Sequence, residues 1–297
     1  MLLLNASGCL DVLTAPEVAR SLDGFVTKTV TPLPREGSTP VRIAETDVGM
    51  LNSIGLANPG IDRFLTRNLP QLEKLGVPLW VSVGGFATDD YADICSRLDD
   101  QGEVSAIELN VSCPNVDAPT ESTAQIVSAA RQATRKPLWA KLSPAVPEIG
   151  EVARAAQAAG ADGLSLVNTV RALKLDRRTL RPALGPGQGG LSGPALKPIA
   201  LAAVATCHLA TGMPIVGMGG VQTGLDALEL IAAGASHVAL GTVLFSDPNA
   251  PARVRAELFA AAAEHGWNSP DEAYAVAHRE IVVHKDNFSM FEHLNST

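Results

Sequence analysis

Two neighbouring stretches decide the fold: PIVGMGGVQTG (Pro214–Gly224) and ASHVALGTVLF (Ala235–Phe245). Each is a short apolar run that ends in glycine and gives way to a helical pattern. The same rhythm extends backwards through the chain. Strands are expected at Met1–Asn5, Gly24–Val30, Pro78–Val83, Ser105–Val111, Pro137–Leu142, Gly163–Val167, Pro214–Gly217 and Ser236–Leu240. Helices are expected at Pro16–Leu22, Ile61–Leu75, Asp89–Leu98, Thr123–Ala133, Pro147–Ala159, Gly193–Ala210, Leu225–Ala233 and Ala250–His265, all with apolar residues at helical spacing. Strict alternation of eight strands with eight helices fits a closed (β/α)8 TIM barrel better than an open doubly wound sheet. With no internal linker or low-complexity segment, residues 1–297 read as one domain.

Three segments interrupt the rhythm: 31–60, 112–122 and 171–194. Thr31–Gly60 and the polar, Gly-rich Leu173–Pro194 are too long for simple βα loops. All three leave C-terminal ends of strands, the face where such barrels carry their sites, so they are expected to form pocket walls or lids. The tail from Ala273, with Met290 and Phe291, has no evident place in the barrel.

The chain is rich in Ala, Gly, Val and Leu, and its formal net charge is −8. It therefore offers no basic stripe for nucleic acid. MLLLNASG is too short an apolar run, without a basic flank, for a signal peptide. No uncharged run approaches the roughly 20 apolar residues of a membrane span. Cys9, Cys95, Cys113 and Cys207 are far apart, which suggests neither a metal site nor a disulfide framework. A reducing cytoplasm is the expected location.

Chemistry-bearing residues gather at the strand ends. Lys28 and Thr29 end the second strand, and Asn110 ends the fourth with Cys113 just beyond it. Lys141 ends the fifth, Asn168 and Thr169 the sixth, Gly219 and Gly220 the seventh, Gly241 and Thr242 the eighth. A lysine in an apolar strand end is costly to bury unless it meets an anion. Glycines after the last two strands allow backbone amides to approach a phosphate. Taken singly, Cys113 reads as a buried inert thiol, the lysines as rim residues and Asn52, Asn110 and Asn168 as turn caps. Together they fit a flavin mononucleotide (FMN), with its phosphate on the glycines, Lys141 near the pyrimidine edge and a planar, amide-rich substrate above the ring.

Several motifs then resemble the class 1 dihydroorotate dehydrogenases: NASG (Asn5–Gly8), TKTVTPLPREGSTPVRIAET (Thr27–Thr46), GMLNSIGLANPG (Gly49–Gly60), ELNVSCPNV (Glu108–Val116), AKLSP (Ala140–Pro144), LVNT (Leu166–Thr169), GGLSGPALKP (Gly189–Pro198), GMGGV (Gly217–Val221) and GTVLFSDP (Gly241–Pro248). LVNTVRALKLD and GGLSGPALKP look most like the NAD-linked subclass. The resemblance implies oxidation of (S)-dihydroorotate to orotate in de novo pyrimidine (UMP) biosynthesis. It also implies a partner subunit with FAD and a [2Fe–2S] cluster that passes electrons to NAD+, in a homodimer or heterotetramer. Cys113 would be the general base at C5, with Asn115 in a supporting role. Lys28, Asn52, Ser53, Ile54, Gly55, Leu56, Asn110, Asn168 and Thr169 would meet the substrate. Ser7, Lys28, Thr29, Asn110, Lys141, Val167, Gly193, Gly219, Gly220, Gly241 and Thr242 would hold FMN, and no metal is implied. The family pattern also implies a β-hairpin ahead of NASG, where only Met1–Leu4 stands, and a Gly-rich insertion that CPNVDAPTESTAQ (Cys113–Gln125) lacks. The alternatives are a fumarate-linked class 1A homodimer, a related FMN-dependent dihydropyrimidine oxidoreductase and a flavin-free interaction subunit.

Overall fold

The computed structural model describes residues 1–111 and 119–279. Twelve strands are present among them: β1 (Leu3–Asn5), β2 (Phe25–Val26), β3 (Ile43–Thr46), β4 (Gly49–Asn52), β5 (Leu79–Val83), β6 (Val104–Asn110), β7 (Leu138–Lys141), β8 (Gly163–Leu166), β9 (Val170–Leu173), β10 (Gln188–Ser192), β11 (Ile215–Met218) and β12 (His237–Leu240). Eight of them form one sheet in the order β1-β12-β11-β8-β7-β6-β5-β2, and every pairing is parallel. A parallel bridge from Leu4 to Gly24 joins the two ends into a barrel. At that seam the Asn5 side chain acts as a substitute peptide group. Its Nδ2 donates to the Val26 carbonyl (2.7 Å) and its Oδ1 accepts from the Val26 N–H (2.8 Å). A buried amide so satisfied costs little, whereas an apolar residue there would orphan both backbone groups.

Helices Thr88–Asp99, Pro119–Ala133, Ile149–Ala158, Lys197–Thr211, Gly224–Ala232 and Ala250–Glu264 pack in sequence around the outside. The outward side chains of the strands, such as Ile107, Leu109, Leu164 and Leu240, form the main core against them. Pro194–Thr211 has the length and apolar composition to cross a membrane, but it carries Lys197 and His208 and lies in this helix ring. The uninterrupted helix expected at 61–75 is instead Ile61–Arg63, a π-helical turn Phe64–Asn68, Leu69–Leu72 and a 3-10 turn Glu73–Leu75. Pro70 explains the break, because it has no N–H to donate and its ring displaces the carbonyl one turn earlier.

Inward side chains close the floor of the barrel. Trp80 and Trp139 sit with ring centroids 4.9 Å apart, and Trp139 lies 5.7 Å from the His237 ring. Leu2, Leu4, Val26 and Ala106 pack with the two indoles. The Trp139 ring fits because Gly163 faces it: a Cβ there would come within 2.4 Å of the indole. Two aromatic rings thus fill the floor of the barrel.

Two features were not expected from the sequence. The segments 31–60 and 171–194 pair with each other as an antiparallel sheet, β3-β4-β10-β9, beside the C-terminal mouth. The tail also has a place. The Ala275 N–H donates to the Ile231 carbonyl (3.0 Å), and His278 Nε2 bonds the Ala233 carbonyl (2.9 Å). Residues 270–278 therefore dock on the outer helix Gly224–Ala232, while Met290 and Phe291 lie outside the described residues.

Candidate active site

The expected second strand is interrupted where the site begins. The Thr27 N–H donates to the Trp80 carbonyl, but the next bond to β5 comes from Val30 to Ser82, one residue later than a regular parallel ladder allows. Thr27 Oγ1 meanwhile accepts from the Ser82 N–H (3.1 Å). The extra residue is a bulge, the local device that re-aims side chains, and it falls at Lys28–Thr29.

The mouth holds a cavity of about 600 Å³. Around it stand Ser7, Lys28, Thr29, Asn52, Ser53, Ile54, Gly55, Leu56, Asn110, Lys141, Val167, Asn168, Thr169, Gly193, Gly219, Gly220, Gly241 and Thr242. The structure therefore brings together all the site residues named from the sequence except Cys113, which with Asn115 lies outside the described residues. Asn52 arrives on β4 and Gly193 follows β10, so the second sheet supplies one wall.

The amides are fixed by one another. Thr29 Oγ1 pairs with Ser82 Oγ (3.0 Å) and accepts from Asn110 Nδ2 (3.5 Å). Asn168 Nδ2 donates to Asn110 Oδ1 (3.2 Å), and the Thr169 N–H donates to Asn168 Oδ1 (2.8 Å). The Tyr91 hydroxyl donates to the Asn110 carbonyl (2.9 Å), tying the end of β6 to helix Thr88–Asp99. A chain of this kind sets which face of each amide donates and which accepts toward the cavity.

Two lysines give the cavity its charge. Lys141 is 5% exposed; its Nζ donates to Ser7 Oγ (2.9 Å) and lies 3.6 Å from Glu108 Oε1. Lys28 is held below the ordinary lysine range, first by burial and then by the Lys141 ammonium. Cys9, on the same wall, is pushed up by burial, against the opposing pull of both lysines.

The glycine rim forms a cradle. Gly220 adopts φ +79°, and a Cβ there would stand 2.6 Å from Lys197 Cβ and 2.8 Å from the Lys197 backbone nitrogen. A Cβ on Gly241 would meet only Ala6 (3.6 Å) and Cys9 Sγ (3.8 Å), so its open side belongs to the cavity. Gly241 also precedes the 3-10 turn Thr242–Phe245, and first-turn amides have no partner within the turn.

A family model described as dihydroorotate dehydrogenase matches residues 2–261, nearly the whole barrel. The chain belongs to the dihydroorotate dehydrogenase family. It is 45% identical over 265 residues to the dihydroorotate dehydrogenase B (NAD(+)) catalytic subunit of Desulforudis audaxviator, covering 87% of this chain and 86% of that one. It is also 45% identical over 245 residues to a putative dihydroorotate dehydrogenase A (fumarate) of Solibacter usitatus, covering 80% and 81%. The dihydroorotate dehydrogenase of Eimeria tenella, solved with ferulenol, superposes with a TM-score of 0.78 at 24% identity over 94% of this chain and 85% of that one, a likeness of fold.

Residues not singled out from the sequence also line this dihydroorotate dehydrogenase cavity, among them Cys9, Met50, Phe86, Tyr91, Ser192 and Phe245. Cys9 was within reach of sequence reading, two residues after Ser7. Ser192 was not, since its place depends on pairing with Met50, 142 residues away.

Proposed function

We propose that the chain is the FMN-binding catalytic subunit of an NAD-linked dihydroorotate dehydrogenase, one barrel domain that oxidises (S)-dihydroorotate to orotate for UMP synthesis in the cytoplasm. The observation that carries this reading is the joint presence, around one cavity, of two lysines, a self-orienting chain of amides and a glycine cradle. These residues fit FMN. Ser7, Thr29, Val167, Gly193, Gly219, Gly220, Gly241 and Thr242 would hold it, and the unoccupied side of Gly241 and the first-turn amides suit its phosphate.

Bound FMN supplies the hydride acceptor. Cys113 takes the proton from C5 of the substrate as the hydride leaves C6. Lys28 holds the substrate carboxylate, and Asn52–Leu56, Asn110, Asn168 and Thr169 set the plane of the ring. Lys141 supplies positive charge where negative charge develops. A partner with FAD and a [2Fe–2S] cluster would carry the electrons to NAD+. The equally similar fumarate-named relative supports a second reading, with fumarate as acceptor and a homodimer as the working unit.

The purified protein is expected to be yellow, and to bleach anaerobically with dihydroorotate but not with dihydrouracil. Colour should return with the partner subunit and NAD+. Recovery with fumarate alone would select the second reading. Bleaching by dihydrouracil in place of dihydroorotate would overturn both.

Lys28 predicts a pH limb. Its lowered pKa means that the ammonium is fully present below that value and is lost before the ordinary 10.5 is reached. Orotate affinity should therefore be constant on the acid side and fall about tenfold per pH unit once Lys28 begins to deprotonate. Titration of bound flavin with orotate across pH reads this. Persistence of the limb in Lys28→Ala would assign it to another group.

A further inference from the structure

Glu108 lies on β6 two residues before Asn110, so both point into the barrel, with Glu108 one layer deeper. The register places Asn110 level with Lys141, and Glu108 level with Trp139 on the floor. Glu108 is 1% exposed, and its Oε1 has no hydrogen-bond partner among the described residues. An isolated buried carboxylate is expensive, and its cost falls only when a cation stands close. The Lys141 ammonium, 3.6 Å away, is that cation, with Ser7 Oγ accepting on another side.

From this arrangement we infer that Glu108 is a positioning residue that holds the Lys141 ammonium aimed at the cavity, and so raises the affinity of the site for reduced over oxidised flavin. The inference rests on the FMN reading above. Lys28 and Lys141 repel each other across a buried space. Glu108 stands one layer below Lys141, so its own charge is farther from the cavity than the ammonium it holds. Without Glu108 that repulsion is unopposed, and Lys141 turns away from Lys28. That removes positive charge from where the reduced cofactor needs it.

The test is the reduction potential of bound FMN, measured spectroelectrochemically. In Glu108→Gln, the preference for reduced over oxidised FMN should fall by at least about tenfold, which is about 30 mV for a two-electron couple. In a Lys141→Met background the same change should no longer lower the potential, because Glu108 acts through Lys141. Glu108→Asp keeps the charge but withdraws it by one methylene; it should give an intermediate value and carries the test if Glu108→Gln does not fold. An unchanged or raised potential in Glu108→Gln, or in Glu108→Asp if that variant carries the test, would overturn the inference while leaving the FMN reading intact. Failure of the wild type to take up FMN would overturn both.

Discussion

Replacing Cys113 with alanine should lower dihydroorotate oxidation by about 10²- to 10⁴-fold at neutral pH while leaving FMN bound, since that is the range general base catalysis contributes. The size of the loss follows from the surroundings. The titratable groups described around the cavity are poor substitutes. Lys28 and Lys141 are cations that repel each other, Lys141 is paired with Glu108, and the Cys9 thiol is held protonated by burial. Asn110, Asn168 and Thr169 have no proton-accepting group of useful basicity, and their hydrogen bonds to one another occupy them. A base supplied from the chain just beyond β6 is therefore not backed up. Cys113→Ser should retain part of the activity and gain with rising pH, because a hydroxyl yields its proton at higher pH than a thiol. Single-turnover flavin bleaching separates the chemical step from reoxidation. Near-normal bleaching in Cys113→Ala would remove the thiol from the mechanism and point to a base on another wall.

How far the sequence carries depends on the range over which each feature is decided. The barrel is written locally: alternating inward and outward residues such as Ile107, Glu108, Leu109 and Asn110, followed by a helical repeat, specify a strand and its cover without reference to distant residues. The strand-end residues were legible for the same reason, since a barrel sends every strand end to one mouth. The second sheet was not. Its strands are four or five residues long, and β10 reads QGGLS, Gly-rich and without alternation. Its pairings with β4 join residues 138 or more positions apart, so they exist only once the barrel has brought the two segments together. The bulge at Lys28–Thr29 was hidden likewise, because it rests on a Thr27 hydroxyl accepting from a neighbouring strand. Glu108 is a different case. Its inward phase was readable from ELN, but a charged residue within an apolar run passes for a rim residue until the register sets it one layer below Lys141.

The glycine cradle gives the other large expected effect. Gly220→Ala should weaken FMN binding by roughly 10²-fold, read by titrating the apoprotein with FMN. Two costs combine there. A non-glycine residue at φ +79° is strained by about 1–3 kcal/mol. The added Cβ would also sit 2.6 Å from Lys197 Cβ and 2.8 Å from its backbone nitrogen, at the start of a helix that cannot yield as a side chain tip would. Overpacking of that kind costs about 1–3 kcal/mol more. Relief comes from moving the loop after β11 away from the helix, toward the cavity where the phosphate is proposed to lie, so much of the penalty falls on the loaded state. About 2.7 kcal/mol corresponds to a hundredfold in affinity. Gly212→Ala is the control. Gly212 also has positive φ, +63°, but a Cβ there meets nothing within 4 Å, and the residue ends the same helix away from the mouth. That variant should lose stability through strain alone and bind FMN as the wild type does. If Gly220→Ala lost only stability in the same way, the glycine would be serving helix packing, and the phosphate would have to rest elsewhere on the rim.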